Sequence, residues 1–248
     1  MFNDLLAALT LFTRLPLGRL RKIPAESFSR AVNFWPAVGL LTGTLTAGVL
    51  WCASTIFPAV AATVLAFGAR TLFTGAFHED GLGDFFDGFG GGRTRERTLE
   101  IMKDSHTGSY GVVGLVLYFT LVIALVGALP IETAVVVMAV GDPLSKAIAA
   151  QLVNLLPYAR PAEQSKLGTS YRRMGSTALF LSIVVGLTPA ALLLPSELWP
   201  AALAPVAMLA WLAHTMRRRI GGYTGDCCGA AFLLCEVAFY AGIWGALA

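Results

Sequence analysis

Along this 248-residue chain, apolar residues gather into runs near twenty positions long, separated by turns that hold most of the prolines and charges. Seven runs stand out, over 38–57, 59–77, 112–129, 133–153, 176–194, 200–216 and 227–247. Each approaches the ~17–25 residues that an α-helix needs to cross a bilayer. Such runs should be helical, because in lipid every backbone polar group must be satisfied inside its own segment. The sixth run is the weakest, with Pro200 and Pro205 near its start. The first fifteen residues are apolar but too short to span, and they lack a small-residue cleavage site. They predict an interfacial or re-entrant helix stopped by Pro16 rather than a removed signal peptide. The pattern as a whole predicts an all-α polytopic membrane bundle of about seven transmembrane helices plus that short N-terminal helix. No repeat or linker divides it, so 1–248 reads as a single domain.

Composition sharpens this picture. Apolar residues make up 56% of the chain and charged residues 13%, against about 25% charged in soluble domains. Lysine and arginine concentrate before 38, between 77 and 112, between 153 and 176, and at Arg217, Arg218 and Arg219, while the alternate turns around Pro58, Pro130 and 195–199 carry none. The positive-inside rule therefore places the N-terminus and the long loops in the cytoplasm and the C-terminus outside. This asymmetry accounts for the net charge of +3 and gives no reason to invoke nucleic acid. Cys52, Cys227, Cys228 and Cys235 make no CxxC or zinc spacing and read as buried apolar fillers.

Chemistry concentrates in the stretch 78–111, read as a cytoplasmic active-site loop that begins with an acidic helix. Asp80, Asp84 and Asp87 are spaced i, i+4 and i+7, which puts them on one side of a helix, and Glu79 adds a fourth carboxylate. Like charges at that spacing repel by roughly 0.7 kcal/mol per pair in water, and by about fourfold more in a partly buried site. A helix that keeps such a face calls for a compensating cation, and all-oxygen donors favour a hard divalent ion such as Mg2+. Arg93, Arg95 and Arg97 follow, then Glu100, Lys103, Asp104, Ser105 and His106. Guanidinium forks beside a metal site suit phosphate oxygens, although arginines at a membrane surface also serve topology and headgroup contact. His78 could assist proton transfer or be a hydrogen-bonded structural residue, and His106 is equally open.

Other polar positions lie in apolar surroundings. Asp142 and Lys146, at i and i+4 on the fourth run, can pair as a structural clamp or contact substrate. Gly221 to Ala230, with Asp226, opens the last run, and Glu236 is close to the face of Asp226. Tyr158 to Pro161 and the pair Arg172 and Arg173 lie in another cytoplasmic loop, where headgroup contact is the simplest role. All these segments fall on one side of the membrane. That concentration favours an enzyme taking a cytosolic substrate over a channel.

With those residues in view, the chain resembles the cobalamin synthase family, the adenosylcobinamide-GDP ribazoletransferases, along essentially its whole length. The likeness rests on Phe12-Thr-Arg-Leu-Pro16, Phe34-Trp-Pro-Ala-Val-Gly39, Thr74-Gly-Ala-Phe-His-Glu-Asp-Gly-Leu-Gly-Asp84, Arg95-Glu-Arg-Thr-Leu-Glu-Ile-Met-Lys-Asp-Ser105, Tyr158-Ala-Arg-Pro161 and Gly221-Gly-Tyr-Thr-Gly-Asp226. The resemblance implies that α-ribazole, or its 5′-phosphate, attacks adenosylcobinamide-GDP and releases GMP late in cobalamin biosynthesis. It further implies Mg2+ dependence and a location in the cell inner membrane. Carried onto this chain, it makes Asp80, Asp84, Asp87 and Glu79 the metal candidates. Arg93, Arg95, Arg97 and Lys103 would lie near the diphosphate, with Asp104, Ser105 and Asp226 completing the substrate or metal contacts. Asp84, Asp87 and His78 are the residues expected to act in catalysis. Assembly as a homo-oligomer or within a cobalamin-biosynthetic complex is compatible with this reading.

Two rival classes make different demands. A CDP-alcohol phosphotransferase also uses a comb of aspartates, but Asp80-Gly-Leu-Gly-Asp84 lacks the Ala-Arg pair of that motif. A transporter would need Arg70, Asp142 and Lys146 to line a pathway.

Overall fold

The structure is a computed structural model and describes residues 1–160 and 171–248. Pro161, the last residue of the Tyr158–Pro161 motif, lies outside the described residues. Among the described residues, six helical stretches are long and apolar enough to cross a membrane: Ala31–Ser54, Ser109–Gly127, Ile131–Leu155, Ser176–Leu193, Ser196–Ile220 and Gly225–Leu247. The chain is a multi-pass helical membrane protein. An N-terminal helix, α1 (Phe2–Phe12), precedes the bundle and buries Ala7, Ala8 and Phe12 against it. Two short helices, α2 (Leu17–Leu20) and α3 (Ala25–Ser29), then lead to α4 (Trp35–Ser54). Asp4 of α1 accepts two bonds from the Arg30 guanidinium, at 3.1 and 3.0 Å, which ties this entry segment together.

Where the apolar pattern predicts a span over 59–77, the backbone breaks. Helix α5 (Ala59–Thr74) stops at Gly75, and α6 (Phe77–Gly91) departs from it at 93°. Gly75 and Ala76 both have positive φ, 73° and 58°. The first suits glycine, whereas the second strains an alanine by about 1–2 kcal/mol. The stretch from 78 to 111 is largely helical, since α6 is followed by α7 (Arg95–Ile101), whose first turn is capped by the Thr94 hydroxyl accepting from the Arg97 N–H at 3.2 Å.

The remaining long helices are α8 (Ser109–Gly127), α9 (Ile131–Ala149), α11 (Ser176–Leu193), α12 (Leu203–Ile220) and α13 (Gly225–Leu247), with a single turn, α10 (Leu152–Leu155), after α9. Small residues let the helices approach, as membrane packing requires. A Cβ on Gly39 of α4 would sit 2.6 Å from Pro143 Cα of α9, and one on Gly43 would sit 3.1 Å from the Ala139 carbonyl.

This interior holds charge. Arg70 (α5) makes a bidentate pair with Glu236 (α13), with Nη2 to Oε2 at 3.0 Å, and its Nη1 is 3.5 Å from Asp142 (α9). Lys146 pairs with Asp142 and donates to Thr42 (α4) at 3.2 Å, and Thr42 donates to Asp142 at 2.9 Å. The hydroxyls of Tyr118 (α8) and Tyr240 donate to Glu236 at 3.0 and 3.1 Å. Arg70, Asp142, Lys146 and Glu236 are each no more than 2% exposed. An unpaired charge in mid-membrane costs about 2.5–3.5 kcal/mol, so mutual pairing is what lets all four enter. The i, i+4 pairing of Asp142 with Lys146 is thus one half of a larger cluster that binds five helices.

Candidate active site at the polar rim

Helix α6 carries the acidic stripe. At about 100° per residue, Asp80, Asp84 and Asp87 fall within an arc of about 60°, while Glu79 points about 100° away from Asp80. The structure follows that geometry: Asp80 is exposed, Asp84 half-buried and Asp87 buried, and Glu79 turns into the protein, where Thr71 donates to its Oε1 at 3.3 Å. Glu79 therefore does not share the face of the other three acids. Asp87 caps α8, its two oxygens accepting from the Gly108 and Gly111 N–H groups at 2.7 and 2.8 Å. That use of a carboxylate at a helix N-terminus offsets orphan donors and complements the helix dipole.

Asp226, at the start of α13, is brought onto α6 by a glycine contact. A Cβ on Gly81 would lie 3.1 Å from the Asp226 Cα and carbonyl oxygen, and one on Gly229 would lie 3.1 Å from the His78 carbonyl oxygen. The two helices touch backbone to backbone at Gly81 and Gly229, and Asp80 and Asp84 lie about 100° and 60° around α6 from that contact. Arg160 reaches the same point, with Nη2 3.8 Å from Asp226 Oδ2 and 3.2 Å from the Leu99 carbonyl oxygen. Among the described residues, no three His, Cys, Asp or Glu side chains converge into a closed ion site.

The basic residues divide into staples and open charges. Arg95 donates to the Ile220 and Ala159 carbonyls, both at 2.9 Å, so its guanidinium is committed to holding α7 on the turn before α13. Arg219 donates to the carbonyls of Phe89 and Gly92 at 3.2 and 2.6 Å, closing the C-terminal end of α6. Tyr223 and Ala159 bond backbone to backbone beneath them, with Ala159 N donating to Tyr223 O at 2.8 Å. Arg93, Lys103 and Ser105 are exposed, and Arg97 pairs with Glu100 at 2.7 Å on the surface. A recess of about 650 Å3 opens between α7 and α8, lined by Asp87, Arg97, Lys103, Asp104, His106 and Ser109 among others. Within it, Asp104 Oδ1 takes a 2.6 Å contact from His106 Nδ1, and that hydrogen bond holds the Asp104 carboxyl below its ordinary value.

His78, expected to act in catalysis, is buried among aromatic rings rather than open to solvent. It is 2% exposed, its Nε2 accepts from Trp35 Nε1 at 3.3 Å, and its ring packs on Phe12, Trp35 and Phe232 at centroid distances of 5.8, 5.6 and 5.0 Å. The imidazole offered to the recess is that of His106. Glu236 is likewise not beside Asp226 at the rim but ten residues deeper, in the ion cluster. Arg70, Asp142 and Lys146 are buried against their partners. Arg219 and Arg160 gained functions that sequence alone did not assign. Both sit in segments rich in arginine, where topology was sufficient explanation.

Comparison with known proteins gives a consistent result. The family model described as cobalamin-5-phosphate synthase matches residues 4–244. Proteins named adenosylcobinamide-GDP ribazoletransferase are similar along their length. One from Shewanella sp. (strain ANA-3) is 37% identical over 238 residues, covering 95% of this chain and 91% of the relative. One from Leptothrix cholodnii is 38% identical over 253 residues, covering 96% and 94%. No solved structure matches.

Proposed function

The chain belongs to the cobalamin-5-phosphate synthase family, and from that premise we propose that it joins α-ribazole, or α-ribazole 5′-phosphate, to adenosylcobinamide-GDP and releases GMP. The observation that carries this reading onto particular residues is the rim, where α6, the helix of the acidic stripe, packs through Gly81 on the Asp226 backbone of α13 beside Arg160. The ribazole hydroxyl oxygen attacks the phosphorus attached to the cobinamide arm. One P–O bond forms as the P–O bond to GMP breaks, GMP departs with the electron pair, and the hydroxyl proton passes to an acceptor at the rim. Such a displacement needs in-line positioning and charge neutralisation more than a covalent nucleophile.

One or two of the carboxylates Asp80, Asp84 and Asp226 would hold Mg2+, which when bound neutralises charge on the diphosphate oxygens. Mg2+ is commonly held by one or two carboxylates plus substrate phosphates rather than by an all-protein cage. Asp80, open to solvent, and half-buried Asp84 lie on one side of α6 as all-oxygen donors of the kind that suits such an ion. Arg93, Arg97 and Lys103 supply positive charge to the remaining phosphate oxygens. Family membership supports the inner membrane as the location, and the distribution of lysine and arginine supports a rim and N-terminus that face the cytoplasm and a C-terminus that lies outside.

Purified protein in detergent, given both substrates and Mg2+, is expected to release one GMP for each cobalamin product, and to release no CMP from a CDP-alcohol. Inversion at phosphorus supports direct displacement. Retention would contradict it.

A further inference from the structure

We propose that the buried Arg70–Glu236 pair is a positioning device for the rim: it fixes the angle of the α5–α6 corner and so sets the direction in which α6 carries Asp80 and Asp84 past the start of α13. The inference rests on the metal-dependent reading of that rim. Both legs of the 93° corner are pinned to the same helix, α13. The α5 leg is held five residues before Gly75, by the guanidinium fork of Arg70 on Glu236. The α6 leg is held by the backbone contacts of Gly81 with Asp226 and of His78 with Gly229. The two pins lie about 15 Å apart along α13, from ten residues at 1.5 Å each.

Two points on one rigid helix determine the angle between the legs. At the corner itself, Gly75 and Ala76 are braced only over a short lever, by Thr71 on Glu79 at 3.3 Å and by Arg14 N on the Phe73 carbonyl at 2.8 Å. Ala76 at φ 58° is a conformation that persists only where the surroundings over-determine it, and the double pin is such a constraint. The fork is itself braced, since Tyr118 accepts from Arg70 Nη2 at 2.8 Å and donates to Glu236, as does Tyr240. None of these four side chains reaches the rim, so they act through the helices they lock.

The test uses the full chain in detergent and the double substitution Arg70→Met with Glu236→Met. Replacing both members of a buried ion pair with apolar residues is often neutral for stability, so thermal unfolding should stay within a few degrees of wild type. Mn2+ binding, followed by the electron paramagnetic resonance of the free ion, should nevertheless weaken about tenfold. Turnover at saturating substrate should fall by about 100-fold, the scale expected for a misplacement of about 1 Å, with a smaller change in KM. Unchanged Mn2+ binding and turnover in a folded double variant would overturn the proposal. If the double variant does not fold, Tyr118→Phe decides: it removes one brace, and turnover should fall several-fold at an unchanged melting temperature, whereas wild-type turnover overturns the idea. Wild-type protein that neither binds Mn2+ nor releases GMP would instead reject the metal-dependent function.

Discussion

Two groups of charged side chains lie about 15 Å apart along α13, one around Glu236 and one around Asp226, and they meet their surroundings in opposite ways. Around Glu236 every ion has an ion or hydroxyl of the protein against it, and the four charges cancel. Around Asp226 carboxylates crowd onto one stripe, Asp80 is open to solvent, and Arg93 and Lys103 are exposed. Charge that is balanced internally holds helices together. Charge exposed to solvent at a rim, as on Asp80, Arg93 and Lys103, is accessible from outside the protein. This division predicts that substitutions in the two groups should fail in different ways.

The largest effect is expected at the rim. Asp80→Asn and Asp84→Asn should each lower GMP release by at least about 10³-fold, equivalent to ~4 kcal/mol of barrier, while the melting temperature stays near wild type. Lys146→Met should show the reverse signature, a loss of about 3 kcal/mol of stability measured by thermal unfolding in detergent, because Asp142 is left buried with only Arg70 and Thr42. Asp87→Ala removes the cap from α8 and should destabilise by ~1–2 kcal/mol. Disordering of the recess by the lost cap should appear as faster amide exchange over 104–111.

The smallest effect is expected at Asp4. Burial alone would raise its carboxyl, but hydrogen bonds from Arg30 and Ser27 and the charge of Arg30 together hold it below the ordinary value. A carboxylate with a lowered folded pKa contributes stability above its unfolded value, about 3.9, and loses that contribution as pH falls through the folded value. Asp4→Asn should therefore melt slightly below wild type at pH 7, by an amount consistent with ~0.5 kcal/mol. The difference should shrink as pH falls below the unfolded value and through the lowered folded one.

The contrast also separates what sequence could and could not disclose. The bundle was legible because a bilayer leaves apolar runs one solution, and the acidic stripe was legible because i, i+4 and i+7 are neighbours on any helix. The corner after Thr74 was not, since an apolar run continues through Gly75 and Ala76 without a charge or proline to mark the break. Glu79 looked like part of the stripe because adjacency in sequence hides the turn of about 100° that separates it from Asp80. Asp142 and Lys146 announced themselves by spacing. Their partners Arg70 and Glu236 are 166 positions apart, and periodicity within one helix says nothing about which other helix its face will meet. His78 shows the same limit, because only the packing of α1, α4 and α13 buries it beneath Phe12, Trp35 and Phe232.

The most direct test of the account is a side-by-side measurement of Mg2+-dependent GMP release and melting temperature for Asp84→Asn and Glu236→Gln in detergent. The account predicts that Asp84→Asn melts like wild type with turnover abolished, while Glu236→Gln, which leaves Arg70 buried beside a neutral amide, melts several degrees lower. Near-normal turnover in Asp84→Asn, with wild-type melting in Glu236→Gln, would contradict the division between an open catalytic rim and a closed structural core.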